Sequence, residues 1–395
     1  MYSVSKRIKN LPFYLFAEID NLKNQILEKG GEIFDLGIGD PDIPTPPEIV
    51  GAMSKALQDQ QNHRYPPYEG KISLRKTFCD WYRERFGLSG SAPVLEPSKN
   101  TCVLMGSKDG ISHIHTAFID EDDVVIVPNP SYPVYSIWTK FCGGKPFYVP
   151  LTWENNFLPN LENIPKDVFR RAKLLWLCYP NNPTSATASA DFWEKAIFYA
   201  EKFEVILAAD LAYSEIYTDE RDKPVSPLSI KKDFIIEFHS FSKTFNMTGW
   251  RIGMAIGDER IVQALAKIKT NTDSGVFGAV QDAVEYALKN YSSIAPKITE
   301  TYKRRREKIE NALNIAGLKF FKSNATFYVW VKLGESSDSN PNSQEFSKRL
   351  LSEYGLVVTP GSGFGSAGDG YIRLSLTVAD PVLEKAAEII KRIKM

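Results

Sequence analysis

Between residues 100 and 260 the chain repeats one pattern: a short, continuously apolar run, then a longer amphipathic stretch. The runs are Thr101 to Met105, Val124 to Val127, Phe147 to Val149, Leu174 to Cys178, Val205 to Ala209, Ile235 to Phe238 and Met254 to Ile256. A strand that is apolar at every position has both faces buried. Helical stretches such as Asp191 to Phe203 and Glu259 to Lys269 fall between the runs. This alternation predicts an α/β fold, a large domain whose mostly parallel, seven-stranded sheet is flanked by helices.

The chain ends read differently. Leu15 to Glu28 is helix-like and is followed by a strand candidate and a Gly/Pro-rich turn. From about residue 290 come a long charged helix, a strand at Thr326 to Val331 and a helix at Ser343 to Tyr354. Strands at Leu356 to Thr359 and Tyr371 to Leu376 and a last helix complete an α+β unit. The expected division is a large domain over 49–289 and a smaller domain built from 1–48 and 290–395.

Lys+Arg and Asp+Glu both number 48 in 395 residues, so the basic excess of a nucleic-acid binder is missing. Lys303 to Arg306 lies among Glu300, Glu307 and Glu310 and reads as a solvated helix face. Cys79, Cys102, Cys142 and Cys178 form no C-x-x-C pair and read as reduced, mostly buried thiols of a cytoplasmic protein. No apolar stretch reaches the ~18 residues of a membrane span, and no apolar segment follows Met1 to Asn10, so neither anchor nor signal peptide is expected. His113 and His115 are two apart, on different faces of a helix, and no metal site is expected.

Polar residues gather where the apolar runs stop. Ser240-Phe241-Ser242-Lys243 follows Ile235 to Phe238, so Lys243 stands just past a strand's C-terminal end, where α/β sheets bind ligands. Desolvation there lowers a lysine pKa and makes the amine nucleophilic. Arg251, in Gly249-Trp250-Arg251-Ile252-Gly253, is a planar cation suited to a phosphate. Together these residues suit a carbonyl cofactor with a phosphate handle, although the tetrapeptide alone would also suit a surface loop.

Three more strand ends carry chemistry. Tyr179-Pro180-Asn181-Asn182-Pro183-Thr184 follows Leu174 to Cys178, either as a plain turn or as a site loop. Asp210, ahead of Leu211-Ala212-Tyr213, is costly to bury without a partner. A pyridinium nitrogen, a helix cap or a salt bridge would serve as that partner. Gly106-Ser107-Lys108-Asp109-Gly110 opens a helix, whose first N–H groups either hold an anion or are simply capped.

With these four strand ends together, the chain resembles the fold-type I pyridoxal phosphate enzymes, and among them the class I/II aminotransferases, from about Leu11 to the last helix. Several segments are similar to the LL-diaminopimelate aminotransferase family in its prokaryotic form. They are Leu11 to Asp20, Leu36 to Asp42, Gly106 to Lys108, Glu237 to Ser240, Asn246 to Met254 and Val357 to Gly361.

The resemblance implies pyridoxal 5'-phosphate as cofactor and a role for each matching residue. Lys243 is implied to bond the cofactor's aldehyde carbon and then to move the proton between substrate and cofactor. Asp210 would keep the pyridine nitrogen protonated, and Tyr213 and Asn182 would bond the phenolic oxygen. Tyr132 would stack on the ring. Ser107, Lys108, Ser240, Ser242 and Arg251 would hold the phosphate, joined by Tyr65 of a neighbouring subunit, which implies a homodimer with shared active sites. Arg373 would take the substrate's α-carboxylate, with Tyr14, Gly39, Lys108, Tyr132 and Asn182 also at the substrate.

Two positions depart from the family pattern. Ser185 stands where the family has glycine after Asn-Pro-Thr, and serine tolerates φ > 0 less readily, so the turn is expected to differ slightly. Ser274 aligns where some members carry a substrate-binding asparagine, which leaves the reader of the substrate's distal end open. The implied reaction interconverts tetrahydrodipicolinate plus glutamate with LL-2,6-diaminopimelate plus 2-oxoglutarate. A broader aspartate, alanine or aromatic aminotransferase, or a β-lyase on the same scaffold, would use the same catalytic residues.

Overall fold

Leu174, Trp176 and Cys178 belong to one buried cluster and Leu175 and Leu177 to another, so successive residues of one strand feed cores on opposite faces of a sheet. Ile206 and Ala208 alternate in the same way with Leu207 and Ala209. That two-sided burial is why the sequence reads as continuous apolar runs. Each such aliphatic side chain contributes about 1.5–3 kcal/mol by leaving water.

The computed structural model describes residues 2–9, 17–88, 93–334 and 342–393. The strands among them are β1 (Phe34–Asp35), β2 (Thr101–Leu104), β3 (Val124–Asn129), β4 (Lys145–Pro150), β5 (Ala172–Cys178) and β6 (Ile206–Asp210). They continue with β7 (Ile235–Ser240), β8 (Gly253–Gly257), β9 (Tyr328–Lys332), β10 (Leu356–Val357), β11 (Thr359–Pro360) and β12 (Tyr371–Ser375). Each of the seven apolar runs falls in a strand of one seven-stranded sheet, ordered β2-β8-β7-β6-β5-β3-β4. Only β8 runs against its neighbours, pairing antiparallel with both β2 and β7. Its N-terminal end therefore lies at the same edge as the C-terminal ends of the other strands.

Helices cover the sheet, and each is built for its place. Helix Ala190–Phe203 starts where the Ser189 hydroxyl accepts from the amide of Phe192, and stops at Glu204 in the left-handed region. It buries Phe192, Trp193, Ala196, Ile197 and Ala200, the three- and four-residue spacing of a single face. Truncating Trp193 to alanine would cost about 3–5 kcal/mol.

The two chain ends meet in a second body of structure. β1 pairs parallel with β10, and β12 lies antiparallel between β11 and β9. The charged helix is Tyr291–Ile315. Only half of its basic run is the solvated face the flanking glutamates suggest: Lys303 and Arg304 are exposed, but Arg305 and Arg306 are buried. Arg305 forks onto Asp42 at 2.6 and 3.0 Å and reaches Asp380 at 2.8 Å. Arg306 donates to the carbonyls of Ala325, Thr326 and Tyr328. All four cysteines are free and three are buried. Among the described residues no helix is long and apolar enough to cross a membrane.

Candidate active site

The sheet's topology delivers its chemistry to one edge. Asp210 and Ser240 are the last residues of β6 and β7, and a single helical turn, Phe241–Thr244, carries Ser242 and Lys243 onward. β2 ends ahead of Gly106 and a helix that opens at Ser107. Arg251, at φ 55°, precedes the antiparallel β8 and so arrives at the same edge. A Cβ on Gly106 would lie 2.5 Å from Nη2 of Arg251, so a bare backbone at 106 lets the guanidinium lie against the helix start.

These elements enclose a cleft of about 460 Å³ lined by Gly39, Asp40, Ser107, Lys108, Tyr132, Ser240, Ser242, Lys243, Thr248, Gly249 and Arg251. That volume suits a small organic ligand. The Lys243 amine donates to the carbonyl of Gly39 at 3.1 Å. Its pKa falls to about 8, chiefly through burial, with Arg251 and Arg373 adding to the fall and Asp40 opposing it. A useful fraction of this amine is therefore unprotonated near neutral pH, as a nucleophile or proton carrier requires.

Asp210 is buried, and burial raises its pKa against the hydrogen bonds of Tyr135 and Ala212 and the charge of His239. Tyr135 Oη donates to one carboxylate oxygen at 2.6 Å and the amide of Ala212 to the other at 3.2 Å. Both hydrogen-bond donors are neutral, and a ring cation facing the carboxyl would favour its ionised form against the burial.

Arg373, on β12, reaches the site from the second body. Its Nη1 donates to Oδ1 of Asn182 at 2.8 Å and its Nη2 to the carbonyl of Gly37 at 3.0 Å. Its Nε is buried without a hydrogen-bond partner. Nη2 also reaches Thr359 Oγ1 at 3.4 Å, so of the five guanidinium N–H groups one on Nη1 and the one on Nε bond no other described residue. Tyr213 Oη lies 2.9 Å from Tyr328 Oη, and Lys108 Nζ sits 5.8 Å from the Tyr132 ring centre.

Of the residues picked out by sequence, Gly39, Ser107, Lys108, Tyr132, Ser240, Ser242, Lys243 and Arg251 meet in this cleft. Asn182 touches Arg373 directly. Tyr65 is 87 % exposed and does not line the cleft of its own chain. Ser274 is exposed beside Gly275, where an added Cβ would approach Pro66 to 3.0 Å, so its loop neighbours the one carrying Tyr65. Tyr14 lies outside the described residues. Ser185 does adopt a left-handed φ of 64°, so the turn keeps the conformation a glycine would take. Its hydroxyl bonds Thr326 Oγ1 at 2.6 Å and the Tyr328 carbonyl at 2.9 Å, which offsets the strain. Sequence reasoning missed Asp40, Thr248, Tyr135 and Tyr328. Tyr135 had one available signal, standing three residues past Tyr132 in the first turn of the helix Val134–Phe141, where the two rings meet edge to face at 5.8 Å.

The donor set tests a pyridoxal phosphate directly. The hydroxyls of Ser107, Ser240 and Ser242 bond no other described residue and open on the cleft beside Arg251 and a helix start, a phosphate-binding chemistry. An amine of lowered pKa and a buried carboxylate complete what the cofactor's aldehyde and pyridine nitrogen require. The residues fit the group.

Comparison with known proteins agrees with this chemistry. The family described as "Aminotransferase class I and II" matches residues 31–390. The chain is 49% identical over 397 residues to the LL-diaminopimelate aminotransferase of Aquifex aeolicus, covering 100% of both. It is 46% identical over 394 residues to the same-named protein of Nitratidesulfovibrio vulgaris, covering 99% of each. Among solved structures, substrate-bound BacF from Bacillus subtilis superposes with a TM-score of 0.90 at 33% identity, over 99% of this chain and 98% of that one. A single mutant of Thermus thermophilus aspartate aminotransferase also gives 0.90, at 28% identity, over 99% and 100%.

Proposed function

The chain belongs to the class I and II aminotransferases, and on that premise we propose that it interconverts tetrahydrodipicolinate plus glutamate with LL-2,6-diaminopimelate plus 2-oxoglutarate. One observation carries the aminotransferase chemistry: an amine of lowered pKa, Lys243, the buried carboxyl of Asp210 and the guanidinium of Arg373 gather at one edge of the sheet. Full-length identity of 49% to a protein named for the diaminopimelate reaction, against 28% to an aspartate aminotransferase structure, supports the narrower substrate.

Pyridoxal phosphate, when bound, supplies a cationic ring that takes up the electron pair left when the substrate's α-proton departs. Ser107, Ser240, Ser242, Lys108 and Arg251 would hold its phosphate, Asp210 would face its ring nitrogen, and Tyr132 would cover the ring. Tyr213 and Asn182 would hold its phenolic oxygen. Arg373 orients the substrate by its α-carboxylate, and a lysine could not offer the same two parallel bonds. The Lys243 amine, close to half neutral at pH 8, takes the α-proton and returns it on the far side of the exchange. Asp210 stays ionised as long as a cation faces it, which keeps the electron sink strong.

The wider assembly belongs to the same proposal. Tyr65, with the exposed Tyr68, Ile72, Leu57 and Val50, supports a homodimer in which Tyr65 reaches the partner's phosphate. Partners are otherwise small amino and keto acids, and the free cysteines support a cytoplasmic site of action. The division into 1–48 with 290–395 around 49–289 is supported by the pairing of β1 with β10. Tyr14 is kept as a substrate contact by resemblance alone.

Donor kinetics test the substrate. Purified protein with LL-diaminopimelate and 2-oxoglutarate should form glutamate. Rapid turnover of aspartate or tyrosine without any diaminopimelate activity would contradict the assignment. Release of pyruvate and ammonia without a keto-acid acceptor would point to a β-lyase.

A further inference from the structure

Tyr328 opens β9 and is buried, yet it touches two groups of the site at once. Its hydroxyl oxygen lies 2.9 Å from that of Tyr213. Its ring lies against Arg373, with the guanidinium carbon 4.0 Å from the ring centre, and Phe364 stands at 4.7 Å from the same carbon. The backbone behind it is fixed. The Tyr328 carbonyl accepts from Ser185 Oγ and from Arg306 Nη2, both at 2.9 Å, and its amide donates to Thr326 Oγ1 at 2.9 Å. Space is reserved in front of it, because a Cβ on Gly39 would fall 2.1 Å from the Tyr328 hydroxyl.

We propose that Tyr328 is a positioning residue with two separable parts: its hydroxyl sets Tyr213 as a donor to the cofactor's phenolic oxygen, and its ring holds Arg373 for the substrate carboxylate. The proposal rests on the reading of the site given above. An ionised phenolic oxygen only accepts, so Tyr213 must spend its one proton there. The bond between the two tyrosines must then run from Tyr328 to Tyr213. A hydroxyl that accepts one hydrogen bond donates the next one more strongly. Burial first, and the neighbouring Tyr328 second, hold the Tyr213 phenol well above its ordinary pKa, so it keeps that proton across working pH.

The ring's part follows from the guanidinium's surroundings. Asn182 and Gly37 fix Arg373 within its own plane. Tyr328 and Phe364 restrain it out of plane and keep water from its face. An aromatic face also attracts the cation.

Two variants of the holoenzyme separate the parts, read by pH titration of the bound cofactor's visible absorbance and by steady-state kinetics. Tyr328→Phe keeps the ring and removes one oxygen. Weakening the donor to the phenolic oxygen makes the cofactor's conjugated nitrogen more basic, so the midpoint should rise by about 0.3 pH unit. The KM for the amino donor should stay within about twofold, because the ring remains against Arg373. Tyr328→Met should show the same rise together with a KM about tenfold higher. A purely structural tyrosine would lower thermal stability without moving the midpoint. An unmoved midpoint in Tyr328→Phe overturns the hydroxyl's part, and an unchanged KM in Tyr328→Met overturns the ring's part. Should the methionine variant not fold, a KM raised about tenfold by Tyr328→Phe, whose ring remains, would still overturn the separation of the two parts. A wild-type chain that takes up no pyridoxal phosphate would instead overturn the reading of the site itself.

Discussion

The amine of Lys243 donates to the carbonyl of Gly39 at 3.1 Å, joining the end of β7 to a loop 204 residues away. That loop is itself held from below, since Asp42 takes the fork of Arg305. The lysine thus faces a backbone oxygen that the long helix Tyr291–Ile315 keeps in place.

Arg305→Met should therefore act at a distance. Removing one partner of a buried ion pair costs about 3–5 kcal/mol, and here Asp42 loses its cation while Asp380 keeps Arg304 at 2.6 Å. Both carboxylates keep some solvent contact, so the lower figure is expected. Chemical denaturation would measure it, and a variant as stable as wild type would show that the fork carries no load.

Arg373→Lys should raise the KM for amino substrates by about 10–100-fold, with a smaller change in kcat. The ammonium replaces a planar pair of donors with a point charge and also abandons Asn182. Equal kcat/KM for variant and wild type would exclude a carboxylate clamp at this position.

The turn at Ser185 predicts an order of stabilities. Ser185→Gly relieves the left-handed strain, worth about 1 kcal/mol, but loses hydroxyl bonds worth about 1 kcal/mol each. Ser185→Ala loses the bonds and keeps the strain. Melting temperatures should fall in the order wild type, glycine, alanine. An alanine variant that melts above the glycine variant would refute the role of the hydroxyl.

Lys243 makes the cofactor-free protein's stability depend on pH with a definite sign. Its pKa is about 8 when folded and 10.5 by default when unfolded, so between these values the unfolded chain binds more protons. Stability should rise with pH across that window relative to Lys243→Met, by at most about 3 kcal/mol. Below pH 8 both states hold the proton, and the folded state carries the full cost of burying it. Parallel stability–pH curves for the two proteins would contradict the lowered pKa.

The sheet was legible because strands buried on both faces cannot hide their apolar continuity, and the candidates Asp210 and Lys243 stood out because one ends such a strand and the other lies three residues past another. Edges were less so: the run Leu356 to Thr359 divides into β10 and β11, which pair with different partners. Arg305 was misread since its neighbours in sequence are acidic while its partner Asp42 lies 263 residues away, and Arg306 was misread because it meets the flanking Glu310 in a buried setting, beside the carbonyls of Ala325, Thr326 and Tyr328. Tyr328 sits in a run that reads as core strand, and it is core. Its contact with Arg373 runs across the paired strands β9 and β12, and its contact with Tyr213 spans 115 residues, and no local periodicity records either.

The central claim is that the side chain of residue 243 forms the covalent bond to pyridoxal phosphate. Borohydride reduction of the loaded enzyme followed by peptide mapping tests it most directly. The account predicts a single stable adduct on the peptide carrying Lys243, absent from Lys243→Ala. A label on another lysine, or none on a protein that has bound the cofactor, would contradict it.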